Sequence, residues 1–353
     1  MNRVFLVVLC FLAYSIIVSA QVVTDSSKID YFRLLELNVE NLFDTAHDEG
    51  KDDLEFTPTG SRKWTLSRYR RKLRRTSKII AAASDKQPLD LIALCEVEND
   101  SVMTHLTKRY PLRPIGYEYV MTNSEDIRGI DVALIYHPLR FRYLGHQSLR
   151  IPPPKRQRPT RDVLHTWGIV PTGDTLHVFV AHLPSKRGGI AETNAYRELV
   201  AQRIRQVSDS ILRCNPHAKL IITGDFNDTP TSTTLRRGLG AIPIKSGHTW
   251  KSNELYLMSH CLKAAPGITG TYKYQGRWEQ IDHIIVSGAL FDPNENIYTQ
   301  PDACQIMAFP FILKPDQGDG GVTPFRTFLG PRYMDGFTDH LPLLLTLQLN
   351  WPD

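Results

Sequence analysis

Short apolar runs alternate with longer amphipathic segments along most of the chain, which predicts an α/β fold. Three segments place apolar residues at helical spacing and are predicted helices, at 62–83, 98–109 and 192–213. Eight runs have the length and composition of buried strands, and they cover residues 32–38, 89–95, 132–136, 163–169, 176–181, 220–223, 281–286 and 341–349. No internal repeat or linker interrupts this alternation, so we predict a single domain over residues 21–353 in which sheets and helices are layered.

Residues 1–20 have the pattern of a secretory signal peptide. Arg3 precedes an uninterrupted apolar run, and Val18 and Ala20 occupy the two positions before the predicted cut that favour small side chains. The run is short for crossing the ~30 Å apolar core of a membrane, which makes a membrane anchor the weaker alternative. We therefore expect cleavage after Ala20, export to the periplasm or secretion, and no stable membrane insertion afterwards.

The charge of the chain is only mildly basic, with 42 Lys and Arg against 37 Asp and Glu and a formal net charge of +5. This excess is too small to indicate a nucleic-acid partner by itself. Nine of the basic residues fall within 62–78, on the first predicted helix. We favour a surface helix whose apolar side packs on a sheet, and the alternative is a contact patch for a phosphate backbone or an anionic membrane.

Carboxylates, amides and imidazoles recur where predicted strands end. In the stretch LIITGDFNDTP, residues 220–230, an apolar strand runs directly into Asp225, Asn227 and Asp228. Such residues also favour turns, so this stretch alone does not distinguish a turn from a catalytic edge. The same residue types end, interrupt or precede five other strands, at Asn38, at Glu96, at His182, at Asp282 and His283, and at Asp339 and His340. Their recurrence favours a catalytic edge.

The motifs at these positions carry a family resemblance. In order, LNVEN, ALCEVEN, VAHLPSKRGG, ITGDFND, IDHIIVS and TDHLP resemble the endonuclease/exonuclease/phosphatase superfamily from about residue 32 to the end. That superfamily includes DNase I-like nucleases, exonuclease III-like repair enzymes, neutral sphingomyelinases and inositol polyphosphate 5-phosphatases. The resemblance implies a four-layered α/β sandwich, in which two mixed β-sheets pack face to face with helices on the outside.

The resemblance also implies a divalent-metal site. By motif position Glu96 is the main metal ligand, with Asn38 beside it and Asp339 completing an oxygen-rich set. Hard oxygen ligands of this kind suit Mg²⁺ or Mn²⁺. We therefore expect Mg²⁺, or Mn²⁺, as the cofactor.

The remaining motif residues resemble the catalytic and phosphate-binding groups of the family. Asp225 corresponds to the residue that orients or deprotonates the attacking water, and Asn227 to the amide that holds the phosphate. His340 is expected to donate to a phosphoryl oxygen, while Asp282 fixes its tautomer. His182 is expected to contact phosphate or to act as a general acid.

The segment SKRGG after His182 is a further candidate for binding substrate. It is expected to present Lys186 and Arg187 to the phosphate, and a solvated loop without contact to substrate is an equal alternative.

We therefore predict an exported, monomeric, divalent-metal-dependent phosphoesterase. A nuclease that hydrolyses phosphodiester bonds of DNA or RNA is favoured. The alternatives are a phosphatase, a sphingomyelinase-type lipid phosphodiesterase and, with the least support, a binding module that has lost catalysis. Substrate choice is not readable from the motifs, because family members share the catalytic residues and differ in their surface loops.

Overall fold

Two mixed β-sheets form the centre of the computed structural model, which describes residues 30–109, 111–155, 157–186, 189–245, 247–262 and 264–351. The predicted signal peptide, residues 1–20, and Arg187 lie outside the described residues. The predictions that concern them therefore stay predictions.

The first sheet has six strands in the order β14-β19-β1-β2-β4-β3. Their bounds are β1 Asp30–Leu42, β2 Leu91–Val97, β3 Glu118–Met121, β4 Asp131–Tyr136, β14 Ile297–Ile306 and β19 Leu343–Leu349. β1 and β2 run parallel, whereas the other neighbouring pairs are antiparallel.

The second sheet has seven strands in the order β5-β6-β7-β8-β13-β10-β9. Their bounds are β5 Arg142–Leu149, β6 Val163–Ile169, β7 Thr175–His182, β8 Lys219–Asp225, β9 Ile242–Pro243, β10 Leu255–Leu257 and β13 Asp282–Ser287. The pairs β7 and β8, and β9 and β10, are parallel, and the remaining pairs are antiparallel.

Three small hairpins and three helices complete the regular structure of the described residues. The hairpins pair β11 Tyr272–Tyr274 with β12 Arg277–Glu279, β15 Leu313–Pro315 with β16 Val322–Pro324, and β17 Phe328–Leu329 with β18 Arg332–Tyr333. The helices are α1 Leu66–Ser84, α2 Asp100–Thr107 and α3 Ile190–Cys214. Short 3₁₀ turns occur at Leu54–Phe56, Arg113–Ile115, Met258–Cys261, Gly288–Phe291 and Pro310–Ile312, and one π turn at Thr234–Leu239.

The layering follows from the alternation of side chains along β7 and β8. Val178, Val180 and Ile221 belong to the core between the two sheets. Phe179 and Ile222, which point to the opposite face, belong to a second core under α3. The α3 side of that core consists of Tyr196, Val200, Ala201, Ile204 and Leu212. α1 packs on β1 of the other sheet, so the predicted sandwich with helices on the outside is confirmed.

The predicted elements are present with shifted ends. The first predicted helix begins at Leu66 rather than at 62, because Thr65 caps it by accepting a hydrogen bond from the Arg68 backbone N–H at 3.4 Å. The sequence did not predict β14, since Pro301 interrupts its apolar pattern. In the structure β14 is an edge strand whose pairing with β19 shifts between Thr299 and Cys304, and such an irregularity accommodates a proline.

The basic side of α1 is partly occupied by the long connection at residues 310–337. Arg71 and Arg75 donate to the Asp335 carboxylate at 2.9 and 2.7 Å. Lys72 is 2% exposed, and its Nζ donates to the Phe337 carbonyl at 2.6 Å. Burial lowers the pKa of Lys72 to about 8. The surface helix therefore binds the connection through these three residues, of which Lys72 is buried and Arg71 stays exposed.

No helix in the described ranges combines the length and the apolar character needed to cross a bilayer.

Candidate active site

Strand register brings the predicted site residues of the second sheet together. His182 at the end of β7 lies opposite Asp225 at the end of β8, and Asp225 lies opposite Asp282 at the start of β13. These three side chains therefore come from adjacent strands at one edge of the seven-stranded sheet. All three are buried, with 3%, 2% and 0% of their surface exposed.

The six-stranded sheet contributes to the same edge. The Asn38 side chain, on β1, donates from Nδ2 to Asp225 Oδ2 at 3.1 Å and so joins the two sheets. Cys95, the residue before Glu96, adds a second link through its Sγ, which lies 3.5 Å from the Ala181 carbonyl oxygen on β7. Both sheets are thus fixed relative to each other beside Asp225.

The backbone at this edge adopts unusual conformations. Glu40, Asn41, Glu96 and Asn227 have φ angles of 53°, 55°, 65° and 51°, in the left-handed region that residues other than glycine rarely adopt. The Asn41 backbone N–H donates to Glu96 Oε2 at 2.9 Å, which the turned backbone permits. Positive φ values concentrated in one place are typical of functional sites, where surrounding contacts hold a strained backbone.

Asp282 holds the ring of His340. His340 Nδ1 lies 2.8 Å from Asp282 Oδ2, and Thr271 Oγ1 donates to the same oxygen. Tyr272 packs against the His340 ring at 4.9 Å between centroids. This arrangement directs His340 Nε2 towards Asp225 Oδ2 and Asp339 Oδ1, each 3.9 Å away.

The charge state of His340 follows from its neighbours. Burial by itself lowers the pKa of the imidazole, but the carboxylates of Asp282, Asp225 and Asp339 raise that pKa well above the ordinary histidine value. The ring is therefore protonated at neutral pH and has an Nε2–H to donate.

Asp225 is fixed by two hydrogen bonds. Its Oδ1 accepts from the Asn227 backbone N–H at 2.7 Å, and its Oδ2 accepts from Asn38. Burial, followed by the negative charge of Asp282, raises the pKa of Asp225 to about 7, although the charge of His340 opposes this rise. A carboxylate with such a pKa is suited to accept a proton near neutral pH.

His182 faces the same centre but is neutral. Its Nε2 lies 3.6 Å from Asp225 Oδ2 and 3.8 Å from Glu96 Oε1, and its buried Nδ1 has no hydrogen-bond partner in the described part of the chain. Burial, followed by the positive charges of Arg161 and Arg128, lowers the pKa of His182 well below the ordinary value.

The predicted metal ligands fit a hard divalent cation. Glu96 Oε1 and the half-buried Asp339 carboxylate accept no hydrogen bond from any described residue, so both have oxygen lone pairs to offer. Asn38 Oδ1 accepts one bond, from the Glu40 backbone N–H at 3.0 Å, and retains a second lone pair. An all-oxygen donor set next to Asp225 suits Mg²⁺ or Mn²⁺.

A second grouping at the same edge fits a metal less well. Ligand atoms of Asp225, Asp282 and His340 lie within 4.8 Å of one another. However, Asp282 is fully buried, and the oxygen that faces His340 already accepts hydrogen bonds from His340 and Thr271. The assignment of Glu96, Asn38 and Asp339 as metal ligands therefore stays a prediction.

The predicted phosphate contacts are only partly within the described structure. Asn227 Nδ2 donates one hydrogen bond to the Leu183 carbonyl at 3.1 Å, which leaves one amide N–H for a ligand. Lys186 pairs with Glu279 at 3.2 Å. Asp228 is not a simple turn residue, because its Oδ2 accepts from Thr234 at 2.8 Å and from the buried Arg197 at 3.2 Å.

Several residues at this edge were not predicted. Glu36 lies on β1 with both carboxylate oxygens buried and unpartnered among the described residues, and burial, followed by the charge of Asp282, raises its pKa well above the ordinary value. Arg128 donates to Asn41 Oδ1 at 3.3 Å. Arg326 lies over the Tyr272 ring at 5.9 Å. Burial lowers the pKa of Arg326, but Asp339, Tyr272 and Glu40 raise it by more.

The sequence contains a signal for Glu36 but none for Arg128 or Arg326. Glu36 stands two positions before Asn38 on the same strand, where the period of two places it on the same side. Arg128 and Arg326 lie in connections without a motif, and only folding brings them to this edge.

Comparisons with solved structures agree with the observed architecture. A mannosyl-6-phosphatase from Bacteroides thetaiotaomicron is 14% identical, with a TM-score of 0.55 and coverage of 90% of this chain and 99% of the other. TDP2 from D. rerio, solved with a single-strand DNA product, is 15% identical, with a TM-score of 0.53 and coverage of 90% and 99%. The human Nocturnin catalytic domain, solved with a bound sulfate anion, is 17% identical, with a TM-score of 0.52 and coverage of 91% and 98%. At these identities the likeness concerns the fold.

The sequence itself provides the family evidence. No curated protein matches this chain in sequence. The sequence model of the endonuclease/exonuclease/phosphatase family, however, matches residues 34–349, which include both sheets and every described residue of the candidate active site. The chain therefore belongs to the endonuclease/exonuclease/phosphatase family.

Proposed function

We propose that this phosphoesterase is a divalent-metal-dependent phosphodiesterase that cleaves nucleic acid. Membership in the family gives the coarser activity, hydrolysis of phosphoric ester bonds. The observation that carries the proposal is the row formed by Asp282, His340 and Asp225, in which one carboxylate orients a protonated imidazole towards a second carboxylate of raised pKa.

Each residue of the candidate active site has its own role in the proposed hydrolysis. Asp225 accepts the proton of the attacking water, since its pKa of about 7 gives it both basicity and a deprotonated fraction at neutral pH. His340 donates its Nε2–H to a phosphoryl oxygen, and Asp282 holds its Nδ1. Glu96, Asn38 and Asp339 would hold a divalent cation, which would supply positive charge to the phosphoryl oxygens and to the leaving oxygen. The bond between phosphorus and the leaving oxygen breaks as the water adds, and that oxygen then takes up a proton from solvent.

His182 and Asn227 hold the phosphate in this proposal. Because the pKa of His182 is far below neutral, His182 contributes a neutral N–H, and we assign it the phosphate contact rather than the role of general acid. Asn227 adds its remaining amide N–H. Arg128 and Arg326 add positive charge at the rim, which favours an anionic substrate. Arg187 stays a proposed phosphate contact from the sequence alone.

A small phosphoester is the second candidate substrate. The observation in its favour is that Arg71, Lys72 and Arg75 of α1 bind the 310–337 connection instead of facing a polymer. The mannosyl-6-phosphatase among the similar structures is consistent with such a substrate.

One panel of assays tests the function. The protein, with Mg²⁺ or with EDTA, is given DNA, RNA, sphingomyelin, inositol phosphates, a sugar phosphate and a chromogenic bis-aryl phosphodiester. We expect Mg²⁺-dependent cleavage of nucleic acid and of the chromogenic diester. Hydrolysis of sugar or inositol phosphates with intact DNA and RNA would favour the phosphatase alternative.

Export, signal-peptide cleavage after Ala20 and a monomeric state complete the proposal. The pattern of residues 1–20 supports export and cleavage, and the monomeric state is an expectation without a structural observation behind it. Mass spectrometry of protein recovered from the periplasm or the medium identifies the first residue, which we expect to be Gln21. Light scattering measures the molar mass in solution.

A further inference from the structure

A second group of carboxylates lies beyond the end of β2, outside the candidate active site. Asp48, Asp53 and Glu98 each place one oxygen so that all three oxygens are within 4.8 Å of one another. Asp48 and Asp53 belong to the connection between β1 and α1, and Glu98 precedes α2. The proposed catalytic mechanism uses none of the three.

Glu98, a member of this cluster, has one carboxylate oxygen without a partner in the described part of the chain. Glu98 has only 5% of its surface exposed. Its Oε1 is buried and has no hydrogen-bond partner among the described residues. The other oxygen, Oε2, accepts from the Asp44 backbone N–H at 2.6 Å. A buried acceptor without a hydrogen-bond partner is unfavourable, so this oxygen calls for a partner.

Little positive charge from the protein reaches the cluster. Among the described residues, only His47 both contacts these carboxylates and can carry a positive charge. Its Nδ1 bonds to Asp53 Oδ1. Three acidic groups at this spacing repel one another strongly in a partly buried setting. A bound cation removes both the repulsion and the unpartnered oxygen.

Three neighbouring carboxylates suit calcium better than magnesium. Ca²⁺ takes about six to eight oxygen ligands at about 2.3–2.6 Å in flexible geometry, and a carboxylate binds it through one or both oxygens. Mg²⁺ requires near-octahedral geometry, keeps several of its waters and is usually held by one or two carboxylates. Three carboxylates close enough to share one ion therefore favour Ca²⁺.

The connection is already shaped around this position. The Asp48 backbone N–H donates to Asp53 Oδ2 at 2.8 Å, and Asn99 Nδ2 donates to Asp48 Oδ2 at 3.2 Å. Asn99 also caps α2, because its Oδ1 accepts from the Val102 backbone N–H at 3.0 Å. Asp48 is therefore tied to the start of α2.

We propose that Asp48, Asp53 and Glu98 bind a structural Ca²⁺ ion that ties the β1–α1 connection to the junction of β2 and α2. The site is separate from the proposed catalytic metal site, although Glu98 stands two residues after Glu96. Its occupant stabilises the fold and takes no part in the hydrolysis.

Calcium binding to the whole protein, stripped of metal with EDTA and dialysed, tests this site. Titration calorimetry measures Ca²⁺ affinity, and thermal unfolding measures the rise in Tm on adding Ca²⁺. We expect Glu98→Gln and Asp48→Asn each to weaken Ca²⁺ binding at least about tenfold and to abolish the rise in Tm. Asp52→Asn removes an exposed charge from the same connection and is the matched control, with affinity and Tm shift unchanged.

Glu96→Gln distinguishes the two metal sites. We expect this variant to keep the Ca²⁺ affinity and the Tm shift of the unmodified protein. If Glu96→Gln abolishes them while Glu98→Gln does not, Ca²⁺ binds at the candidate active site and the proposal is overturned. An unmodified protein with no Ca²⁺ response, or one in which Mg²⁺ but not Ca²⁺ raises Tm, also overturns it. Should Glu98→Gln fail to fold by circular dichroism, the half-buried Asp48→Asn variant decides.

Discussion

At the residue scale, neighbouring groups shift the pKa of Asp225 in opposite directions. Burial and Asp282 raise its pKa, while His340 beside it lowers the same pKa, and the balance lies at about 7. Two hydrogen bonds, one to each oxygen, hold the carboxylate in place. The side chain is therefore prepared for proton transfer without having to move.

Replacing Asp225 tests this role. Asp225→Asn keeps the shape and removes the proton acceptor, so we expect kcat to fall by at least about 10²-fold with little change in KM, because general-base catalysis contributes about 10²–10⁴-fold. Asp209→Asn, at a partly exposed carboxylate of α3 that pairs with Arg205, is the control. Asp228 is unsuitable as a control because it pairs with the buried Arg197. Near-normal kcat in a folded Asp225→Asn enzyme would contradict the mechanism.

A buried histidine far from this edge makes stability depend on pH. His165 stacks on Phe179 with ring centroids 4.1 Å apart, and burial, followed by the charge of His177, lowers the pKa of His165 to about 3. In the unfolded chain the pKa is about 6.5. The unfolded state therefore binds an extra proton between these values, so stability is complete above about pH 6.5 and is lost as the pH falls.

We expect His165→Phe to reduce the pH dependence of unfolding. The free energy of unfolding changes by at most about 1.4 kcal/mol per pH unit for each extra proton bound in the unfolded state. Removing His165 removes about one such proton between pH 4 and 6. Urea denaturation at several pH values measures this slope. An unaltered slope in His165→Phe would show that this ring is not kept neutral by the fold.

Residues that follow an apolar strand were predictable, and those that depend on tertiary contact were not. Asp225 and His340 stand next to apolar runs, so their place at an edge could be predicted from the sequence. Arg326 lies within the 310–337 connection, whose aromatic and glycine-rich sequence indicates no particular path. Its contact with Tyr272 exists only because that connection folds back onto the sandwich.

At the scale of elements, α1 has two kinds of basic residue. Arg71 and Arg75 bind Asp335, and Arg68 packs over the Tyr333 ring at 4.2 Å. Arg70 and Arg74 are exposed. The helix therefore stabilises the 310–337 connection with one set and presents the other to solvent. The sequence predicted the helix but not this division, because the partners are more than two hundred residues away.

Two matched double variants separate binding of DNA by α1 from stabilisation of the 310–337 connection by α1. Arg70→Gln with Arg74→Gln is expected to raise KM for DNA and to flatten its salt dependence without changing Tm, since phosphate contacts release counterions. Arg71→Gln with Arg75→Gln removes the same charge and is expected to lower Tm through loss of the Asp335 contacts. Hydrolysis of a small chromogenic diester is the control for the first pair. Unchanged DNA kinetics in the first pair would leave α1 a purely structural helix.

At the scale of the whole molecule, the candidate active site belongs to neither sheet alone. Asn38 and Glu96 come from the six-stranded sheet, and His182, Asp225 and Asp282 come from the seven-stranded sheet. The alternation of apolar residues predicted two packed sheets only with the help of the family resemblance. Strand order and register depend on contacts between distant segments, which periodicity does not encode.

Metal removal tests the site as a unit. The carboxylates at this edge repel one another without a cation, so we expect EDTA to abolish hydrolysis and Mg²⁺ or Mn²⁺ to restore it. Glu96→Gln is expected to raise the Mg²⁺ concentration required for half-maximal activity and to lower the maximal rate. The measurement is a rate at graded Mg²⁺ concentrations. Full activity in EDTA would exclude the metal-dependent mechanism.

The pairing of β1 with β19 has a consequence for biosynthesis. Asp30 lies opposite Leu349, so the first described strand, which also pairs with β2, meets its second partner only when nearly all of the chain has been made. A chain still on the ribosome has Asn38, Glu96 and Asp225 but lacks Asp339, His340 and the strand that positions them. Unfinished chains therefore lack two residues that the proposed hydrolysis requires, so we expect activity only in completed copies.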